Sequence, residues 1–127
     1  PNLTALVDEK RLYQVFLNIF LNAVEAMQGG GKIEVGVHKH VPTSFGDGEE
    51  SEIMAAVSFR DTGKGIPPED LSRIFDFYYS KKENGSGIGL SLAQQIVEEH
   101  GGFIRVKSKI EAGSEFTIYL PLRRAQS

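Results

Sequence analysis

The 127-residue sequence contains no cysteine and no tryptophan. Without thiols, disulfide staples and thiolate metal sites are excluded. Only three histidines are present, His38, His40 and His100, which leaves little room for a metal cluster. No apolar run approaches the roughly 20 residues of a membrane-spanning helix, and no secretory signal is visible; a cytoplasmic compartment is the expectation. An excess of positive charge is lacking too. Fourteen Lys and Arg stand against seventeen Asp and Glu, a net charge of −3. That argues against a general nucleic-acid binder, while leaving room for a local basic site for one phosphorylated ligand.

What is present is the material of one ordinary domain over residues 1–127. Hydrophobic residues make up 40% and charged residues 24%, enough to bury a core. Glycine is the anomaly, with 14 residues, above the usual proportion of about 7%. The pattern opens almost inside a short strand, Pro1–Val7, which predicts a piece of a longer protein. Asp8 is placed to cap a helix over Glu9–Gln28, with Leu12, Phe16, Ile19, Ala23 and Ala26 as its apolar stripe and Gly29-Gly30-Gly31 as its stop. Alternation predicts strands over Lys32–Val41 and Ile53–Arg60, joined as an antiparallel hairpin by a long polar loop. Pro67-Pro68-Glu69-Asp70 opens a short helix to about Phe75. A third helix runs from about Gly87 to His100, with Leu90, Ala93, Ile96 and Val97 inward. Phe103–Lys109 and Glu115–Leu122 read as strands around a turn at Glu111–Ser114. The expected fold class is α+β: a two-layer sandwich with an approximately five-stranded mixed sheet and three helices on one face.

Four segments carry chemistry. On the first helix, Gln14, Asn18, Asn22 and Glu25 share one face, distinct from the apolar stripe. Their spacing fits a polar solvent face. It also fits a pair of amide oxygens aimed at a hard cation such as magnesium. Next, Asp61-Thr62-Gly63-Lys64-Gly65-Ile66-Pro67 follows a strand directly. A plain turn explains it, as does an acceptor carboxylate at the sheet's end, with glycines admitting a flat ligand close to the backbone. Third, Asn84-Gly85-Ser86-Gly87-Ile88-Gly89-Leu90 runs straight into a helix, as an anion-binding loop would. Its spacing fits neither the common P-loop nor the dinucleotide fingerprint. A flexible linker would not normally lead at once into an amphipathic helix. Last, Ser80-Lys81-Lys82 precedes that loop, with Phe75, Phe77, Tyr78 and Tyr79 beside it; a solvated surface and a mobile charge for a triphosphate both fit.

In this order the segments resemble the ATP-binding catalytic domain of bacterial sensor histidine kinases, the Bergerat-type fold shared with DNA gyrase B and the heat-shock chaperone ATPase. The resemblance covers about Thr4 to Leu122. Asn18-Ile19-Phe20-Leu21-Asn22-Ala23 matches the N box, Asp61–Ile66 the first glycine box, Gly85–Leu90 the second and Gly113-Ser114-Glu115-Phe116 the last. Arg73–Tyr79 resembles the F box. The resemblance implies ATP and Mg²⁺ as ligands. Asn22 would ligate the metal, with Asn18 as a second ligand or as positioner of a metal-bound water. Asp61 would accept from the adenine amino group, and Ser114 would help through an ordered water. Gly63, Gly65 and Ile66 would line the base, with Ala26 and Tyr79 among the contacts. Gly85, Ser86, Gly87, Ile88, Gly89 and Leu90 would wrap the phosphates, and Lys82 would reach the terminal ones. The catalytic roles fall to Asn18 and Lys82.

The gyrase-like hydrolases carry a glutamate near the position of Asn18. An amide there cannot take a proton from water, so the resemblance implies a domain that holds ATP for a histidine nucleophile. That histidine would lie on an adjoining dimerisation domain, and a response-regulator aspartate would receive the phosphoryl group afterwards. His38 and His40 lie in a strand pattern and His100 at a helix end, so none matches the phosphoacceptor motif. This segment is expected to be monomeric and not to autophosphorylate. Departures exist. Glu25 stands where many members have a basic residue, as in the nitrogen-regulatory subgroup. Phe77 and Tyr78 alter the F box, and the lid before the second glycine box is very short. An anti-sigma-type serine kinase and a nucleotide-sensing interaction module are the alternative readings.

Overall fold

The computed structural model describes residues 3–4, 8–41, 53–76 and 89–124. Among them the chain order is β1 (Leu3–Thr4), α1 (Glu9–Ala26), β2 (Ile33–His40), β3 (Met54–Asp61), α2 (Pro68–Leu71), α3 (Gly89–Glu99), β4 (Phe103–Lys109), β5 (Gly113–Pro121) and β6 (Arg123–Arg124). The main sheet has four strands in the order β2-β3-β5-β4, and every neighbouring pair in it is antiparallel. The expected strand count and mixed direction are therefore corrected, while the α+β sandwich stands. The first strand pattern does not join the main sheet: its described part pairs with β6 in a separate two-stranded ribbon.

The helices begin and end where their side chains allow. Asp8 caps α1, its carboxylate accepting from the Arg11 backbone N–H at 3.2 Å. This satisfies one of the helix's unpaired first-turn donors. The helix stops at Ala26, two residues short of the expected end, just before the glycine run. The proline-led α2 is a single turn, followed by turns to Asp76 rather than a helix to Phe75. Gly101 takes up a left-handed conformation after α3.

Register places the core in rows across the sheet face beneath the helices. Val37, Val57, Ile118 and Ile104 form one row, and Val35, Phe59, Phe116 and Val106 the next. Val15 and Ile19 of α1 and Ala93, Ile96 and Val97 of α3 pack onto them. Phe16 meets Phe59 at 5.9 Å between ring centroids, and Phe75 meets Phe116 edge-on at 6.5 Å. Each large side chain fully buried there contributes about 1.5–3 kcal/mol. Helix α1 lies over β3, and α3 over β4 and β5. Edge strand β2 keeps its share of these rows open, with Val35 56% and Val37 72% exposed. On the opposite face, Tyr119 stacks on Phe103 at 4.6 Å and meets His40 edge-on, and the Arg105 guanidinium covers Phe103.

The two long helices are antiparallel and joined at both ends. At one end, His100 Nε2 accepts from the Asp8 N–H at 2.9 Å, and its Nδ1 lies 2.8 Å from the Ile96 carbonyl. Arg11 pairs with Glu99 beside them. At the other end, Asn18 reaches the first residue of α3. The Arg11 guanidinium, then Gln95, hold the Glu99 carboxyl below its ordinary value of 4.5. A lowered carboxyl value adds stability that is complete above the ordinary value and is lost as pH falls through the lowered one. Because the pair is exposed, the effect is small. Arg11→Ala is expected to lower the urea midpoint slightly at pH 7, with the gap to the unmodified chain closing towards pH 3. Equal gaps at both pH values would exclude the ion pair as its cause.

Candidate functional site

Beyond the last apolar row the same face turns polar. Asp61, Ser114 and Ser108 stand side by side in register, with Ile33 on the edge strand next to them. Asp61 is 3% exposed and Ser114 6%. A carboxylate this buried needs donors. The Gly63 N–H donates to its Oδ1 at 2.8 Å and the Ser114 N–H at 3.3 Å. Both bonds fall on one oxygen, so Oδ2 is the one left for a ligand. A shallow cleft of about 260 Å³ lies at this end of the sheet, lined by Asp61, Ser108, Gly113 and Ser114 together with Arg60, Lys107, Lys109 and Glu115, of which Arg60, Glu115 and Lys107 alternate onto the opposite face.

The loop after Asp61 is clamped from two sides. On the helix side, the Lys64 N–H donates to the Ala26 carbonyl at 3.1 Å, at the end of α1. On the sheet side, the Glu111 N–H donates to the Lys64 carbonyl at 2.7 Å. The Ile66 N–H donates to Ser108 Oγ at 2.7 Å. Gly65 sits at φ 77°, where a Cβ would come within 2.1 Å of the Lys109 carbonyl oxygen. Gly113, at φ 99°, approaches the Asp61 backbone carbonyl equally closely. These two positions exclude any side chain, so the glycines set how tightly the loop, the β4–β5 turn and β3 stack.

The polar face of α1 points along the same end of the molecule. Asn18 is part-buried and its orientation is set by its partners. Its Nδ2 donates to the Gly89 carbonyl at 3.0 Å, and its Oδ1 accepts from Gln14 Nε2 at 2.8 Å. Asn22, one turn on, is half-buried and its side chain makes no hydrogen bond among the described residues. Of the two amides, that of Asn22 is the freer for a hard cation. Carbonyl oxygens suit magnesium, which keeps part of its shell for phosphate and water, and the donor set here fits that use.

The structure thus brings Ala26, Asp61, Gly63, Gly65, Ile66 and Ser114 together around the sheet's end, with Asn18 and Asn22 on the helix above. Gly89 and Leu90 form the start of α3, and Leu90 and Ile66 pack partly against the core. Tyr79, Lys82, Gly85, Ser86, Gly87 and Ile88 lie outside the described residues, as do Phe77 and Tyr78 of the altered F box. Sequence reasoning misses Ser108, which ties Ile66, Gly113 and Ser114 together. Its signal is its parity: with Ile104 and Val106 it alternates onto the buried face, a polar residue at a core position.

Residues 7–124 match the family described as histidine kinase-, DNA gyrase B-, and HSP90-like ATPase. The sensor histidine kinase ZraS of Klebsiella oxytoca is 44% identical over 119 residues, covering 94% of this chain and 24% of that protein. The chain therefore spans about a quarter of the length of this relative. Among solved structures, the mycobacterial sensor histidine kinase MprB aligns with a TM-score of 0.78 at 27% identity, over 95% of this chain and 78% of that one. Full-length ShkA, solved in complex with AMPPNP, aligns with a TM-score of 0.74 at 30% identity, over 100% of this chain and 25% of that one.

Proposed function

The chain belongs to the family of histidine kinase-, DNA gyrase B- and HSP90-like ATPases, and on that premise we propose that it binds Mg-ATP and presents the γ-phosphoryl group to a histidine on an adjoining dimerisation domain. A response-regulator aspartate then receives the phosphoryl group, as in two-component signalling. The observation that carries this reading is the Asp61 carboxylate, held on Oδ1 by two backbone N–H groups and left with Oδ2 at the end of a buried sheet face. An acceptor of that kind suits the amino group of adenine.

Each residue then has a part. Gly63, Gly65 and Ile66 bring backbone against the base, with Ala26 at the helix end and Ser114 beside the carboxylate. Gly85 to Leu90 wrap the phosphates through backbone N–H groups at the entry to α3, where the helix dipole favours an anion. Lys82 reaches the terminal phosphates, and Tyr79 flanks the nucleotide. Asn22 holds Mg²⁺, which when bound neutralises phosphate charge. Asn18 offers no base: its amide is spent on Gly89 and Gln14, and an amide cannot accept a proton from water. The residues therefore position the nucleotide and balance its charge, as phosphoryl transfer chiefly requires, and leave the nucleophile to come from outside.

Calorimetric titration with ADP and a non-hydrolysable ATP analogue, with Mg²⁺ and with excess chelator, tests the binding. Reconstitution with a histidine-bearing dimerisation segment tests the transfer. Binding without transfer would favour the interaction-module reading. Asn22→Ala is expected to weaken binding in Mg²⁺ about tenfold, the order expected for one charge-assisted contact. The same variant should leave binding in chelator unchanged. An unaltered magnesium dependence would remove Asn22 from the metal.

A further inference from the structure

We infer that the free edge of β2 pairs antiparallel with β2 of a second copy of this chain, in the register that sets Gly36 opposite the partner's Gly36. β2 is the end strand of the main sheet, and among the described residues no strand lies beyond it. Its side chains on the helix-bearing face stay open, Val35 at 56% and Val37 at 72% exposure. Helix α1 does not close over them, because it lies over β3. It turns Arg11 and Asn18 towards α3. Tyr13, Phe20 and Val24 stand on the opposite flank of the helix and look out over β2, all three exposed. Five large apolar side chains thus border one notch between helix and edge strand, unlike the singly scattered apolar residues of an ordinary surface. A long edge strand with open apolar side chains is a template for another strand.

The occupant follows from the order of residues along β2, which matches its own reverse about Gly36. A twofold axis there sets Val35 opposite the partner's Val37, and Val37 opposite the partner's Val35. The four valines make one apolar block on the helix-bearing face. On the other face the same register sets Glu34 opposite the partner's His38, twice over, an acid facing an imidazole. Both are exposed in the single chain. At the axis two glycines meet, with no side chain to hold the strands apart. Other registers lose the match. Sliding one way puts Lys39 opposite the partner's Val35, and sliding the other way puts Glu34 opposite the partner's Gly36. The two α1 helices, each above its own β3, stand three strand spacings apart, about 14 Å, against roughly 8–10 Å for helices in contact. Tyr13, Phe20 and Val24 of both copies fill that gap and roof the valines. The contact is isologous. It gives a segment expected to be monomeric a pairing surface of its own, and it owes nothing to the nucleotide reading.

Sedimentation equilibrium of the whole chain, over about 10 μM to 1 mM, should show the mass rising from one chain towards two. Val37→Lys puts an ammonium into the valine block. The single chain tolerates it, since that side chain is already open to water, and association should weaken about tenfold or more. Cross-linking tests the register. The chain has no cysteine, so one introduced thiol meets only its own counterpart. Gly36→Cys faces itself across the axis at about 4.5–5.5 Å between Cα atoms, within disulfide reach, and should cross-link in oxidised glutathione. Its new Cβ lies 3.2 Å from Ser58 Oγ, a side chain that can turn aside. Glu34→Cys is the control: its counterpart lies about 14 Å away along the strands, and cross-linking should be about tenfold slower. The mass of one chain throughout the range overturns the inference and leaves the edge to a strand of an unlike protein. Association that Val37→Lys does not weaken, or equal cross-linking of the two cysteine variants, overturns it as well. None of these outcomes bears on nucleotide binding.

Discussion

Asp61→Asn is expected to weaken nucleotide binding by about a hundredfold or more while the domain stays folded. The substitution keeps the shape and changes only what the two atoms of the side-chain fork can do. Oδ1 already accepts from the Gly63 and Ser114 N–H groups. If the asparagine oxygen keeps those two bonds, its NH₂ faces the adenine amino group, donor against donor. If the amide turns round, the NH₂ faces two backbone N–H groups instead. Either orientation leaves buried donors unmatched, and a lost hydrogen bond to a charged group is worth about 1.5–3 kcal/mol before that mismatch is counted. Calorimetry with ADP and a thermal melt on the same preparation check it. A folded variant binding within threefold of the unmodified chain would place the base elsewhere.

Gly65→Ala should be, with Gly113→Ala, among the most damaging single methyls in this region. The new Cβ would sit 2.1 Å from the Lys109 carbonyl oxygen at a φ of 77°, so both the backbone conformation and the space are wrong. The clash is with backbone, which cannot swing aside. The expected cost is about 2–4 kcal/mol, with nucleotide binding lost because Ile66 and the loop move away from Ser108. Gly29→Ala is the control. Its φ of 87° is equally unusual for a side chain, yet nothing lies within 4 Å of its Cβ. It should cost only about 1 kcal/mol and leave binding alone. Urea unfolding of the two variants measures the difference. Equal losses would mean that conformation alone, and not the close stacking of loop on turn, governs this end of the sheet.

Much of this architecture is legible in the sequence through local rules. Asp8 as a cap, the β2–β3 hairpin, the bounds of β4 and the buried face of α3 all follow from short-range patterns that the fold does not override. Direction in the sheet is harder to read. Whether strands run parallel depends on where long connections cross, and alternation along a strand says nothing about its neighbour. For the same reason β1 gives no sign of pairing with β6. In the site, Asp61 and its glycines stand out because their motif is contiguous. Ser108 does not, since its partners are Ile66, Gly113 and Ser114: register sets Ser114 opposite it, and the loop after β3 folds Ile66 back onto it. Asn18 is legible as a polar residue on a helix face, but the partner that fixes its amide, Gly89, lies 71 residues away.

The bond from the Lys64 N–H to the Ala26 carbonyl joins the helix carrying Asn22 to the loop that follows Asp61. Through it, the two ends of the candidate site belong to one rigid piece. On the proposed reading, a nucleotide gripped at its base would have its phosphates beside the helix. The second contact then forms at a high effective concentration, with no further search. Two weak holds on separate molecules become one firm hold on a molecule of the right span. In this arrangement the single backbone bond acts as the bridge of a chelate, and loosening it would weaken both grips at once without touching either.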